Sequence, residues 1–144
     1  MSPAAKLATG LAAVLVLGWV NHGPLGNGAH FVDRLEAESK AVIVSTDLEG
    51  IDIKFDRDPL ARAATLSGNA DEFQRYGMRG QKGITQQIGD VPGMGTVRWA
   101  DRPSRALVLP LLVETLLLEV VAYGIGLGFA WLLWGRRPRE RFAP

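Results

Sequence analysis

Residues 106–134 read ALVLPLLVETLLLEVVAYGIGLGFAWLLW, and this stretch decides the architecture of the chain. Only two of its side chains are charged, Glu114 and Glu119, and its length exceeds the ~20 residues that cross about 30 Å of hydrocarbon. Apolar residues cover every face of the implied helix, whereas an amphipathic helix on a soluble protein keeps a polar stripe. The segment therefore predicts a transmembrane helix.

Residues Leu7 to Val20, LATGLAAVLVLGWV, form a second apolar segment without charge. Because Lys6 stands directly before it, the pattern is also typical of a cleavable secretory signal peptide. We expect an uncleaved anchor, and the remaining alternative is a soluble fold built around two core helices. The predicted division is a cytoplasmic start and first transmembrane helix at 1–22, a domain at 23–105, a second transmembrane helix at 106–134 and a basic cytoplasmic tail at 135–144.

The residues after the second span, GRRPRERFAP, form the most basic stretch of the chain, with four arginines and one glutamate. Flanks rich in Lys and Arg stay in the cytoplasm, so the tail predicts a cytoplasmic C-terminus, and two spans return the N-terminus to the same side. We expect a bacterial inner-membrane protein with residues 21–105 in the periplasm. The predicted anchors at the headgroup level are Trp19, Trp131, Trp134, Arg136 and Arg137.

Charge is concentrated between the two apolar segments. Twelve of the 15 acidic residues lie from Asp33 to Asp101, and 11 of the 16 basic residues lie from Arg34 to Arg105. A net charge of +1 gives no basic stripe of the kind that neutralises phosphates, so we expect no nucleic-acid partner. The absence of cysteine excludes disulfides, thiolate metal ligands and a cysteine nucleophile.

The charged middle segment predicts a small α+β domain after a flexible linker at residues 22–28. Its hydrophobic spacing and turn signals define the elements. They are a helix at 31–44, strands at 51–55 and 60–67 joined as a hairpin, helical segments at 70–76 and 84–88 separated by a break at Gly77 to Gly83, and a strand at 96–99. The predicted core consists of Leu35, Ile51, Ile53, Phe55, Leu66, Phe73, Ile84, Ile88, Val91 and Val97.

Two short motifs in this segment carry a family resemblance. GIDIKFDRDPLARAATLSG at 50–68 follows the opening helix as a strand, turn and strand ending in LSG, and VPGMGTVRW at 91–99 closes the segment. Together they resemble the BON domain of bacterial envelope proteins over about residues 31–99, with a departure at glycines 77, 80 and 83. The resemblance implies a membrane protein in which two transmembrane helices flank a small periplasmic αββαβ sandwich. It also implies a module that binds membranes or proteins, without catalytic residues.

Glu114 and Glu119 are the most informative residues of the second span, because a carboxylate there is usually paired, hydrated or functional. Five residues turn a helix by about 140°, so the two side chains face different neighbours and do not share a metal or proton site. We expect structural pairing, with Pro110 starting the true helix and Glu119 neutral or bonded to a neighbouring subunit. The alternatives are contact with a partner's polar group or a pigment-type ligand, and proton conduction.

Small residues on the same span predict close helix packing. Gly124 and Gly128 are four residues apart, and so are Gly126 and Ala130, which lets another helix approach. The partner helix could belong to another protein or be the chain's own first span. His22 and His30 are the two histidines, and their surroundings in the sequence favour no metal site.

These patterns predict a non-enzymatic accessory or assembly subunit of a larger bacterial inner-membrane complex, of the photosynthetic reaction-centre and light-harvesting kind or the respiratory kind. Its expected partners are the membrane and the membrane-protein subunits of that complex. No cofactor is predicted, and contact with a lipid or a pigment fits the spans. The alternative is a free-standing envelope module that binds lipid or peptidoglycan through the BON-like domain, and a third hypothesis is a proton or ion pathway built on the glutamates.

Overall fold

The computed structural model of the chain describes residues 2–102 and 106–135. Within them the protein is a mixed α and β structure in which two long apolar helices flank a small domain. The helices are α1 (Pro3–His22), α2 (Asn27–Ser45), α3 (Glu72–Tyr76), α4 (Ile84–Gly89) and α5 (Leu111–Trp134). The strands are β1 (Asp52–Arg57), β2 (Leu60–Ser67), β3 (Gly77–Met78), β4 (Gln81–Lys82) and β5 (Thr96–Trp99).

Helix α1 starts before the apolar run because its first turn is capped. Ser2 Oγ accepts a hydrogen bond from the Ala5 N–H (3.2 Å), and Pro3 stands at the first helical position, where its missing N–H would have no partner anyway. The helix then continues for 20 residues, about 30 Å, to His22. Both α1 and α5 are long and apolar enough to cross a membrane.

Helix α5 is shorter than the predicted segment 106–134. Residues 106–109 are not helical, and the helix begins at Leu111, directly after Pro110. Proline has no N–H and disfavours the helical conformation in the residue before it, so the helix cannot extend further towards the N-terminus. Instead, Pro110 forms a bridge with Ala61 of β2, which ties the start of the helix to the domain.

The connection between α1 and α2 is a tight turn, and the prediction of a flexible linker at 22–28 is wrong. Only residues 23–26 separate the two helices. The Gly26 N–H donates to Gly23 O (2.8 Å), and Gly26 has a φ of 73°, a left-handed conformation that favours glycine. A short, hydrogen-bonded turn therefore connects the domain to α1.

Strand β2 lies at the centre of a three-stranded sheet with the order β1-β2-β5. It pairs antiparallel with β1, as the predicted hairpin requires, and parallel with β5. The predicted bounds 60–67 of this strand are confirmed. Because β2 and β5 are parallel, the chain crosses over between them through α3 and α4.

The core of the domain lies between the sheet and the helices α2 and α4. Ile51 and Val97 of the predicted core are partly buried against it. Phe73 is not a core residue, since it is 45% exposed. The short helix α3 is fixed by its Asp71 cap, and it carries Phe73 on its outer side. The predicted core residues that are buried are Leu35, Ile53, Phe55, Leu66, Ile84, Ile88 and Val91.

The predicted break between the two helical segments contains structure of its own. Residues 77–82 form a short antiparallel hairpin in which Gly77 pairs with Lys82 and Met78 with Gln81. The order helix, strand, strand, helix, strand is present once this hairpin is counted as an insertion in the second helical segment. The resemblance to BON domains stays a prediction.

Candidate functional site

Helices α1 and α5 pack against each other in antiparallel directions, and two glycines of α1 provide the contact surface. A Cβ atom at Gly18 would overlap the carboxylate of Glu119, and a Cβ atom at Gly10 would lie 2.6 Å from the Tyr123 hydroxyl oxygen. That hydroxyl donates a hydrogen bond to Leu7 O (2.8 Å). Helix α1 therefore accommodates the side chains of Glu119 and Tyr123: its glycines leave room for them, and its Leu7 carbonyl accepts the Tyr123 hydrogen bond.

The carboxylate of Glu119 is enclosed in this helix pair. Its Oε2 is buried and has no hydrogen-bond partner among the described residues. A buried polar atom without a partner costs about 1–3 kcal/mol, so a single copy of the chain leaves an unsatisfied acceptor in the middle of its apolar helices. Pairing of Glu119 with a neighbouring subunit stays a prediction.

Glu114 lies at the junction between the helix pair and the domain. Its Oε2 is 2.6 Å from Arg62 Nε, and the two side chains are about one quarter to one third exposed. Arg62 also donates through Nη1 to Gly93 O (3.2 Å), which joins the sheet, the loop before β5 and the start of α5. The structural partner expected for Glu114 thus belongs to the same chain.

Sequence reasoning missed Arg62 as a site residue. It is 52 residues away from Glu114, and hydrophobic periodicity gives no information on such a long-range pair. The available signal was the charge itself, because Arg62 interrupts the otherwise uncharged strand LARAATLS. A cation within a buried strand requires a partner, and an isolated carboxylate in the first turns of a span is a natural one.

The three glycines of α5 are open in a single chain. A Cβ atom at Gly124, Gly126 or Gly128 would meet no atom within 4 Å. Helical geometry places Gly124 and Gly128 about 140° and 180° from Glu119, so this pair faces away from α1. Gly126 and Ala130 lie on the Glu119 side, near the end of the helix pair. Packing of another helix on these residues stays a prediction, and α1 is not the partner of the outward pair.

The tryptophans lie near the ends of the helix pair. Trp19 is in the last turns of α1 beside the domain, and Trp131 and Trp134 are in the last turn of α5 at the opposite end. All three rings are exposed, and about 30 Å separates Glu114 from Trp134 along the helix, the thickness of a bilayer core. Two further predicted anchors, Arg136 and Arg137, lie outside the described residues.

Ion pairs fix the surface of the domain next to the junction. Arg57 contacts both Asp33 Oδ1 (2.9 Å) and Glu36 Oε2 (2.6 Å), which links β1 to α2. Hydrogen bonds from Lys40 and Arg57 lower the pKa of the Glu36 carboxyl below its usual value. On the far side of the domain, a hydrogen bond from Arg75 lowers the pKa of Asp101.

The two histidines do not form a ligand cluster. His22 packs on Gly28, where a Cβ atom would lie 2.5 Å from the imidazole ring, and His30 lies 3.7 Å from the corresponding position at Gly26. Across residues 2–102 and 106–135, no three His, Asp or Glu side chains group at metal-binding distance. The contacts and surfaces that the structure does build are a helix pair, an ion-paired junction and an outward face of small residues.

Searches against protein-family models, curated proteins and solved structures found no match for this chain. The fold and the junction define its class: an α+β protein with two long apolar helices that could span a membrane.

Proposed function

We propose that this chain is a non-enzymatic accessory or assembly subunit of a larger bacterial inner-membrane complex, photosynthetic or respiratory in kind. Its helices pack on membrane subunits of that complex, and its domain braces the periplasmic face. The observation that carries the proposal is the junction, where Arg62 pairs with Glu114 at 2.6 Å and Pro110 pairs with Ala61. These contacts hold the domain in one place above the helices, as a bracing subunit requires.

Unused surface on the helices supports the same proposal. The face of α5 that carries Gly124 and Gly128 points away from α1 and is open, and small residues at this spacing let helices approach closely. A helix of a partner subunit fits there, and a lipid or a pigment is the alternative occupant.

The proposed orientation places both termini in the cytoplasm and residues 21–105 in the periplasm, with the BON-like domain outside. The basic tail, including Arg136 and Arg137, supports this orientation through the preference of Lys and Arg for the cytoplasmic side. The exposed tryptophan rings at the two ends of the helix pair suit the two headgroup layers.

The alternative proposal, a free-standing envelope module that binds lipid or peptidoglycan, is distinguished by where the contacts are made. Gentle-detergent extraction of the tagged chain from its native membrane, followed by native gel electrophoresis and mass spectrometry, tests the two. We expect co-migration with one large complex in a fixed ratio. Migration as a monomer or small oligomer would overturn the subunit proposal and favour the envelope module.

Variants of the outward face make the test specific. Leucine at Gly124 or Gly128 enters open space in the single chain, so the helix pair is preserved while a partner helix is excluded. We expect Gly124→Leu and Gly128→Leu to abolish co-migration. The matched control is Leu118→Phe, which enlarges an exposed side chain about 100° around α5 from the midpoint of Gly124 and Gly128, and it should leave the complex intact.

A further inference from the structure

The β3–β4 hairpin lies at the end of the domain opposite to the helix pair. Helix α2 starts beside the end of α1, where Gly28 contacts His22, and runs about 27 Å to Ser45. Strand β2 runs the same way, from the bridge of Ala61 with Pro110 to Ser67. A groove of about 480 Å³ beside the hairpin is lined by Thr46, Leu48, Phe73 and Lys82 among others, which places it beyond the far ends of both elements.

The hairpin separates α3 from α4, and glycines at its base allow the chain to leave the helical conformation. Gly77 has a φ of 75°, and a Cβ atom there would overlap Gln81 O and lie 2.5 Å from Gly83 N. A Cβ atom at Gly83 would likewise lie 2.5 Å from Tyr76 N. At the base of the hairpin, the backbone at Gly77 therefore packs directly on the backbone at Gly83. The two strands project from this base.

The tip of the hairpin carries an arginine in a conformation that arginine rarely adopts. The two turn residues, Arg79 and Gly80, both have positive φ, 51° and 92°. A two-residue turn of this kind favours Asn-Gly or Asp-Gly, because both central residues need a positive φ, which Gly, Asn and Asp adopt more readily than arginine does. Residues held in such conformations cluster at functional sites, which makes Arg79 a candidate contact residue. Among the described residues, Arg79 forms no ion pair.

Exposed apolar side chains lie on and next to the hairpin, while the groove beside Arg79 is lined mainly by polar groups. Met78 is 57% exposed, Phe73 is 45% exposed, and Tyr76 is also exposed. A groove of about 320 Å³ runs along the hairpin between Tyr76, Met78, Arg79 and Gln86, and no acidic side chain lines it. Exposed Met and Tyr side chains next to an arginine without an ion pair among the described residues are typical of a protein-binding surface, in which Met, Tyr and Arg are enriched.

We infer that residues 76–82 form a docking surface for a second protein, whose contact surface holds an acidic side chain beside an apolar pocket that receives Met78. The inference rests on the proposed function, because a bracing subunit needs a contact on the far side from its own membrane. The position about 27 Å from the membrane end of α2 favours protein over the lipid of that membrane. Arg79 pairs with the acidic group, and complementary charge fixes the register of the contact.

The test uses the full chain in its native membrane, with a photoreactive benzoylphenylalanine in place of Met78. The matched control carries the same probe in place of Lys54, an exposed residue of β1. We expect one discrete protein adduct from the first position and none from the second. Mass spectrometry of the adduct then maps the crosslink, and we expect an acidic residue next to it.

Charge variants establish whether Arg79 directs the contact. Arg79→Glu should reduce the adduct at least about tenfold, and Arg79→Lys should retain it. Arg79→Asn removes the charge but suits the turn, so it should lose the adduct without lowering the melting temperature. Replacing the mapped acidic residue of the partner by lysine should restore crosslinking to the Arg79→Glu chain, and Lys54→Glu should change nothing.

Adducts with lipid only, equal adducts from both probe positions, or an adduct that persists in Arg79→Glu would each overturn the inference. Failure of this inference is distinguishable from failure of the proposed function. Co-migration with a complex without an adduct at position 78 removes the docking surface and leaves the subunit. A charge-dependent adduct from a chain that migrates outside any large complex removes the subunit proposal and supports the docking surface.

Discussion

At the scale of single residues, the pair of Arg62 and Glu114 decides how the domain is attached. We expect Arg62→Ala and Glu114→Gln each to lower the free energy of unfolding by about 1–2 kcal/mol, because each leaves a partly buried charge or hydrogen-bonding group without its partner. Thermal unfolding of the purified chain in detergent measures both changes. The double variant should be less destabilised than the sum of the two, by about 1 kcal/mol.

Additive effects of the two substitutions would show that the pair contributes no coupling. The control is Lys54→Ala, since Lys54 is exposed and forms no ion pair among the described residues. Its effect on unfolding should stay within about 0.5 kcal/mol.

Glu36 makes the stability of the domain dependent on pH. Its pKa in the folded chain is lowered below 4.5 by hydrogen bonds from Lys40 and Arg57, so folding favours the carboxylate. The stabilisation is present above pH 4.5 and is lost as the pH falls through the lowered pKa. Wild-type melting temperature should therefore exceed that of Glu36→Gln at neutral pH, and the difference should disappear in acid. A difference that persists at acidic pH would show that Glu36 acts through packing instead.

At the scale of elements, the helix pair depends on which glycine is replaced. Leucine at Gly18 overlaps the Glu119 carboxylate and separates α1 from α5, whereas leucine at Gly124 enters open space. We expect Gly18→Leu to lower the free energy of unfolding by about 1–3 kcal/mol and Gly124→Leu to leave it nearly unchanged. Thermal unfolding of the two variants in the same detergent makes the comparison. Equal losses would mean that the helices pack through the Gly124 face.

Elements with strong local signals were predictable from the sequence. Strand β2 has the predicted bounds, and Pro110 fixes the start of α5 because its chemistry acts on neighbouring residues. The glycines at 77, 80 and 83 predicted a break, but only the tertiary structure shows that they build a hairpin. The backbone contact between Gly77 and Gly83 could not be predicted, because hydrophobic periodicity gives no information on contacts between glycines.

The candidate site was predictable only in part, for the same physical reason. Glu114 and Glu119 are conspicuous because charge is rare in an apolar span. Their contacts with Arg62 and with Gly18 are long-range, and they depend on how the domain and α1 are placed. Phe73 shows the opposite error. An aromatic residue in a helical segment suggests a core position, but Phe73 lies on a five-residue helix that is capped by Asp71, and its side chain is exposed.

At the scale of the whole molecule, the proposed topology has a direct test. The sequence contains no cysteine, so single cysteines introduced at Ser2 and at Lys54 give a clean background for labelling. In spheroplasts, a membrane-impermeant maleimide should label Lys54→Cys and should label Ser2→Cys only after the membrane is opened. Labelling of Ser2→Cys in intact spheroplasts would place the N-terminus outside and reverse the orientation.

The tight turn at residues 23–26 and the bridge of Pro110 with Ala61 make the domain a lever. With two short connections and an ion pair at its base, the domain follows the helices when they tilt. A tilt of about 10° displaces a point about 27 Å above the junction by about 5 Å, and membrane helices adjust their tilt to the local thickness of the bilayer. In the proposed orientation, a change in bilayer thickness would therefore move the Arg79 hairpin sideways, at the end of the domain opposite to the helix pair.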